Sequence, residues 1–185
     1  MNYKTIVEIA PTVEPVTLVE AKNQLRIEPS FTVDDDLINA LISASRDRVE
    51  QFLNRYVTEQ TLTMVFYDDF PVGLNPFYIP LPDVKSIASI FYQDSAGTET
   101  EITDFSYDSQ TQWLRATNGW PSGMVTLKVS LVTSAPVEMS GVKQGLLMML
   151  TDLYELRAES VVNTSITNNP AVMSCLGPYR VEMGI

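Results

Sequence analysis

The amino-acid sequence predicts an α+β fold, with a helical core of three main helices (about 17–26, 34–57 and 136–158), an antiparallel β-rich insertion (about 61–133) and an extended C-terminal tail. Three observations predict it. Apolar residues keep helical spacing for about five turns after residue 37. Residues 61–133 change to short stretches rich in Val, Ile, Tyr, Phe and Thr, broken by Pro, Gly and Asn. A second long apolar stretch then follows Pro136.

Thr17 precedes Leu18, Ala21 and Leu25 at helical spacing, and Glu20 stands three residues on, so a capping box opens the first helix. After a polar break at 28–32, Asp34, Asp35 and Asp36 lead into Ile38, Leu41, Ile42, Ser45, Val49, Phe52 and Tyr56. Their offsets of 0, 3, 4, 7, 11, 14 and 18 hold one helix face. Strands are expected at Thr61 to Tyr67, Phe77 to Leu81, Val84 to Tyr92, Phe105 to Tyr107, Trp113 to Ala116 and Val125 to Val132. Ser95-Ala96-Gly97 and Asn118-Gly119 tolerate the positive φ that hairpin connections need. The expected product is one small antiparallel sheet.

Pro136 suits the first turn of the third helix, which runs through Val142, Leu146, Leu147, Met149, Leu150, Leu153, Tyr154 and Leu156 to about Ala158. These positions cover more than one stripe, so the helix is either central to its own fold or packed on one side against another subunit. Gly141 and Gly145, four apart, permit another backbone to come close. No charged residue occurs between Glu159 and Arg180, and the stretch from Val161 to Pro178 reads as irregular chain, either docked on an apolar surface or disordered. The organisation expected is one subunit over 1–185, with a β-rich subregion at 61–133 and a docking tail at 160–185.

The net charge is −11. It is spread along the chain: residues 1–60 carry 6 basic and 10 acidic side chains, 61–133 carry 3 and 8, and 134–185 carry 3 and 5. No segment is a basic patch, which disfavours binding that works by neutralising phosphates. An acidic wall past which DNA slides without sticking fits the same electrostatics, as does plain solubility. Met1 to Pro15 lacks a basic start followed by an apolar stretch, so no signal peptide is expected, and Leu146 to Leu150 is too short to span a bilayer.

The chain contains no histidine, which removes imidazole-based triads, dyads and metal sites. Cys175, the single cysteine, lacks a neighbouring cation to lower its pKa and reads as a small hydrophobe. Asp34, Asp35 and Asp36 are explained by helix capping and the helix dipole, and Asp68 and Asp69 as turn residues. No phosphate-cradling, nucleophile-elbow or zinc pattern occurs, so no catalytic residue, metal or cofactor is expected.

The order of segments resembles the head-tail connector (adaptor, or head-completion) family of tailed bacteriophages, in its longer form with a β-rich middle. Pro15 to Lys22 with Leu25 and Arg26 resembles the family's opening helix, and Asp35 to Ile38 with Ala44, Val49 and Phe52 its second. Gln60 to Leu62, Ile79 to Pro82 with Val84, Ser86 and Ile87, and Gly119 to Pro121 follow the β portion. The stretch from Val142 through Leu150, Tyr154, Glu155, Arg157 and Glu159 resembles the last long helix, and Leu176 to Arg180 the terminal element.

This resemblance implies a non-enzymatic ring of about a dozen copies under the portal, in the virion neck, made in the host cytoplasm. The ring would connect the DNA-filled head to the tail and extend the DNA channel, with the portal and a stopper or tail-completion protein as partners. Genomic DNA would pass through without specific binding, and no membrane is involved. Val142, Leu146, Leu147, Leu150 and Tyr154 are the expected subunit-interface residues, and Val172, Met173, Leu176, Tyr179 and Arg180 the expected portal-docking residues. Two alternatives stay open. One is another neck or tail-completion protein, a stopper or tail terminator; the other is a carbohydrate-binding β-rich module using Trp113 and Trp120.

Overall fold

A computed structural model describes residues 2–134, 140–155 and 169–181. The chain divides into two compact units: Met1–Thr12 with Thr58–Ala135, and Val13–Val57 with Pro136–Ile185. The first is a β unit and the second a helical one.

The β unit holds β1 (Tyr3–Ile9), β2 (Thr61–Phe66), β3 (Phe77–Tyr78), β4 (Val84–Asp94), β5 (Glu99–Glu101), β6 (Phe105–Asp108), β7 (Trp113–Ala116) and β8 (Met124–Thr133). In place of the single expected sheet there are two, one ordered β1-β2-β8-β4-β5 and one ordered β3-β7-β6. Every pairing is antiparallel. The β-rich region therefore exceeds 61–133, because the N-terminal segment supplies the first strand. β8 alternates buried with half-buried or exposed residues along most of its length, as a strand with one face on a core does. Phe66 of the larger sheet meets Phe77 of the smaller edge to face at 4.8 Å, and Phe77 meets Trp120 at 6.1 Å. This aromatic chain closes the space between the sheets, with Leu62, Met64, Ile79, Ile90, Leu114, Leu127 and Leu131 buried in the same unit. Gly97 (φ 83°) and Gly119 (φ 85°) take the left-handed turn positions expected of them.

The helical unit holds α1 (Leu18–Leu25), α2 (Asp35–Leu53), α3 (Ser140–Glu155) and α4 (Pro170–Leu176). The capping box opens α1 as expected: Glu20 N–H donates to Thr17 Oγ1 at 3.3 Å, and Thr17 N–H to Glu20 Oε2 at 3.0 Å. α2 stops short of residue 57 because Asn54 turns left-handed (φ 54°) and sends its N–H back to Glu50 O. For the third helix, 136–139 and 156–158 lie outside the described residues. The core of this unit comprises Val16, Ala21, Ile38, Ile42, Val49, Leu53, Val57, Val142, Leu146, Met149, Leu150, Val172 and Leu176. Val172 and Leu176 belong to α4, so the expected irregular tail is, over 170–176, a helix in the core. Among the described residues no helix is long and apolar enough to cross a membrane.

Candidate assembly interface

The small residues of α3 decide how the chain's C-terminal part is seated. A Cβ on Gly145 would lie 2.5 Å from Leu176 Cδ2, and one on Gly141 would lie 2.6 Å from Tyr179 Cε2 and 3.2 Å from Cys175 O. Only glycine leaves room for α4 and the turn after it at this separation. The close approach that the glycine pair permits thus takes place inside the subunit.

Five side chains were expected at the subunit interface and five at the portal. Val142, Leu146 and Leu150 are buried in the helical core, and Leu147 and Tyr154 pack half-buried against it. Val142, Leu146 and Leu150 are therefore corrected to core residues, because α1, α2 and α4 all pack on α3 and bury them. Val172 and Leu176 are corrected to core in the same way. Met173 and Tyr179 stay half-buried and Arg180 exposed.

The last described residues are pinned to the end of α2. Val181 N–H donates to Leu53 O at 2.9 Å, Asn54 Nδ2 donates to Val181 O at 3.1 Å, and the Arg180 guanidinium lies 5.2 Å from the Phe52 ring centre.

Polar groups in the helical unit serve packing. Lys22, almost wholly buried, donates to Phe31 O at 2.9 Å and Pro29 O at 3.3 Å and pairs with Asp35 at 2.5 Å, which holds the α1–α2 loop in shape. The triple aspartate therefore does more than face the helix dipole: Asp35 neutralises Lys22, and Asp34 accepts the Tyr154 hydroxyl at 2.6 Å. Arg46 Nε donates to Glu14 at 2.8 Å and Nη1 to Glu50 at 3.2 Å, while the other oxygen of Glu50 accepts Val57 N–H at 2.9 Å. Burial works to lower the Arg46 pKa. The hydrogen bond to Glu14 and the charges of Glu14, Glu50 and Asp47 more than offset that, and the pKa ends raised. Glu20 is held down at about 2, first by the Lys143 ammonium that donates to it at 2.6 Å and then by the Thr17 backbone and hydroxyl.

Of the two tryptophans assigned to a glycan platform, Trp120 is buried and its Nε1 donates to Asn75 O at 2.8 Å, so it is a core residue. Trp113 is partly exposed and packs edge to face on Tyr78 at 5.5 Å. No group of three or more Cys, Asp or Glu side chains placed to hold a metal occurs among the described residues.

Exposed apolar side chains lie elsewhere. Ile6, Val7 and Ile9 are exposed along β1, the outermost strand of the larger sheet, and Phe31, Val33 and Leu37 around the loop that Lys22 holds. Sequence reasoning missed both groups. For β1 the alternation of Tyr3, Thr5, Val7 and Ile9 with Lys4 and Glu8 was a usable signal.

Apolar residues left outward on fixed elements, beside polar networks spent on packing, fit an assembly subunit as the class of protein. Residues 15–111, just over half of the chain, match the family described as phage gp6-like head-tail connector protein. The chain belongs to that family and has its structural role, that of a head-tail connector. No curated protein sequence matches the chain. Among solved structures it resembles a chain from the neck of an empty gene transfer agent particle computed with C6 symmetry, at 16% identity and TM-score 0.69, over 100% of this chain and 98% of that one. It also resembles a chain from the neck of the native particle computed with C12 symmetry (15%, 0.69, 100% and 98%) and one from the native virion (14%, 0.70, 98% and 97%). At these identities the likeness shows the fold.

Proposed function

We propose that this connector forms a ring in the neck of a virion, between the portal and a stopper or tail-completion protein, with DNA passing through its centre and no catalysis of its own. The observation that carries this is the family match over 15–111. The fold supports it, since similar chains come from particle necks computed with six-fold and twelve-fold symmetry. A net charge of −11 suits a wall that does not hold DNA. Contacts to neighbours and to the portal fall on what the core leaves accessible: Leu147 and Tyr154 of α3, then Met173, Tyr179 and Arg180.

Electron microscopy of particles from a phage lacking this gene tests the proposal. DNA-filled heads with bare portals, beside free tails of normal length, are the expected result, and supplying the protein restores a ring under the portal. Tails of aberrant length on complete necks would overturn it and identify a tail terminator instead.

A further inference from the structure

The two edges of the larger sheet are built differently. At one edge β5 has only three residues, two of them glutamates, and beside it β4 carries irregularities between Val84 and Ser86 and between Ile87 and Ser89. Short, charged and bulged edges are those that resist further pairing. At the other edge β1 is seven residues long and pairs with β2 in regular register from Tyr3 to Val7, with a single irregularity between Val7 and Ile9. Among the described residues no strand pairs with its outer side. Ile6, Val7 and Ile9 are exposed along it, and its only charges are Lys4 and Glu8.

The hydrogen-bond parity of β1 follows from one contact. Tyr67 N–H donates to Asn2 O, and the register sets Tyr3 opposite Phe66 and Lys4 opposite Val65. Bonded and non-bonded pairs alternate in an antiparallel ladder, so Asn2, Lys4 and Ile6 face β2 while Thr5 and Val7 direct N–H and C=O outward. An added strand must meet those outward groups with outward groups of its own.

We infer that β1 pairs with β1 of a second copy of this chain, antiparallel about a two-fold axis at Ile6. In this register Thr5 faces Val7 of the other copy, outward groups on both sides, and the two form hydrogen-bonded pairs. Ile6 faces Ile6, with its side chains close in a non-bonded pair. Lys4 faces Glu8 twice, once on each side of the axis, so both charges of the strand are matched by opposite charges. One strand sequence thus carries its own complement in hydrogen bonds, apolar contact and charge. The two-fold axis is no part of a cyclic ring. The contact therefore belongs to protein not yet assembled, where it covers an edge that would otherwise recruit foreign strands. A pair of strand edges buries less than the ~1,200 Å² of a standard stable interface, so the dimer is weak and reversible.

Sedimentation equilibrium of the purified full chain over ~1 μM to ~1 mM, a span set by the affinities such a small contact gives, tests this. A reversible monomer–dimer equilibrium is expected. Val7→Pro removes an outward N–H without touching the ladder to β2, and should raise the dimer Kd at least ~10-fold with an unchanged far-ultraviolet spectrum. Glu8→Lys and Lys4→Glu should each weaken the dimer, and the double variant carrying both should regain the wild-type Kd. Charge reversal at two exposed positions leaves the fold intact, so this arm stands even where the proline variant does not fold. Protein that stays monomeric throughout overturns the proposal, as does a dimer whose Kd ignores the charge swap. Strand capture by a different virion protein would show as monomer alone and β1-dependent binding in its presence, which also overturns it.

Discussion

Gly145→Ala is the sharpest test of how α4 is seated. In an exposed helix interior this change stabilises by about 1 kcal/mol through helix propensity. Here the new methyl would lie 2.5 Å from Leu176 Cδ2 and 2.8 Å from Cγ, and Leu176 is 1% exposed, held in the core by its neighbours. Overpacking of this kind costs about 1–3 kcal/mol, so the net expectation is a loss of about 1 kcal/mol. Leu176→Ala alone should cost about 2–5 kcal/mol, as buried leucine truncations do. In the double variant the methyl enters space that Leu176 has left, the clash is gone, and only the propensity gain remains. Gly145→Ala should therefore destabilise the wild type and stabilise the Leu176→Ala background by about 0.5–1 kcal/mol. Urea unfolding followed by helical ellipticity measures this, since both tryptophans lie in the β unit and report on the other half of the chain. An effect of Gly145→Ala that is the same in both backgrounds would refute the packing of α4 against α3.

Glu20 supplies a pH signature. Its folded pKa of about 2 lies below the ordinary 4.5, so the stability it contributes is present above about pH 4.5 and is lost as the pH falls toward 2. The side chain is 38% exposed, so this amounts to less than about 1 kcal/mol. Glu20→Gln should flatten urea midpoints between pH 4.5 and 2.5, and an unaltered slope would remove Lys143 as its partner. Arg46→Met strips the cation from Glu50, whose side chain is 7% exposed, and should cost about 3–5 kcal/mol. Adding Glu50→Gln, which keeps an acceptor for Val57 N–H, should recover part of that in the same unfolding assay; no recovery would mean that Glu14 is the partner that matters.

What was legible in the sequence follows how local each signal is. α2 holds one face for its whole length, and Thr17 and Glu20 make a reciprocal cap within four residues, so both were readable without tertiary context. β1 was missed because its alternation is short and its partner β2 lies more than fifty residues away, so nothing nearby in the sequence supports it. Only Thr100 in Glu99-Thr100-Glu101 favours a strand; β5 forms where Asp94 Oδ1 accepts Ala96 and Thr98 N–H and turns the chain back onto β4. α4 did carry a signal. Asn169 caps it by accepting Ala171 and Val172 N–H, Pro170 opens it, and Val172 and Leu176 stand one turn apart. A seven-residue helix has no stability of its own, so the helix forms only because α3 offers the glycine-lined seat.

That seat also resolves the ambiguity of α3. A helix apolar on two stripes needs a second layer, and sequence periodicity cannot tell whether the layer comes from the same chain or from a neighbour. Here the chain supplies it, because Gly141 and Gly145 admit α4 at a distance that no side chain would allow. Residues that looked surplus to the fold, Val142, Leu146 and Leu150 together with Val172 and Leu176, are then what closes it. The consequence reaches the assembly question directly. Removing the chain from Val161 onward would strip Val172 and Leu176 from the core along with any docking surface, so a truncated protein that fails to join heads would not separate docking from folding. Substitution at positions the core leaves accessible, such as Met173 and Arg180, makes that separation, because it alters the surface while the α3–α4 contact stays in place.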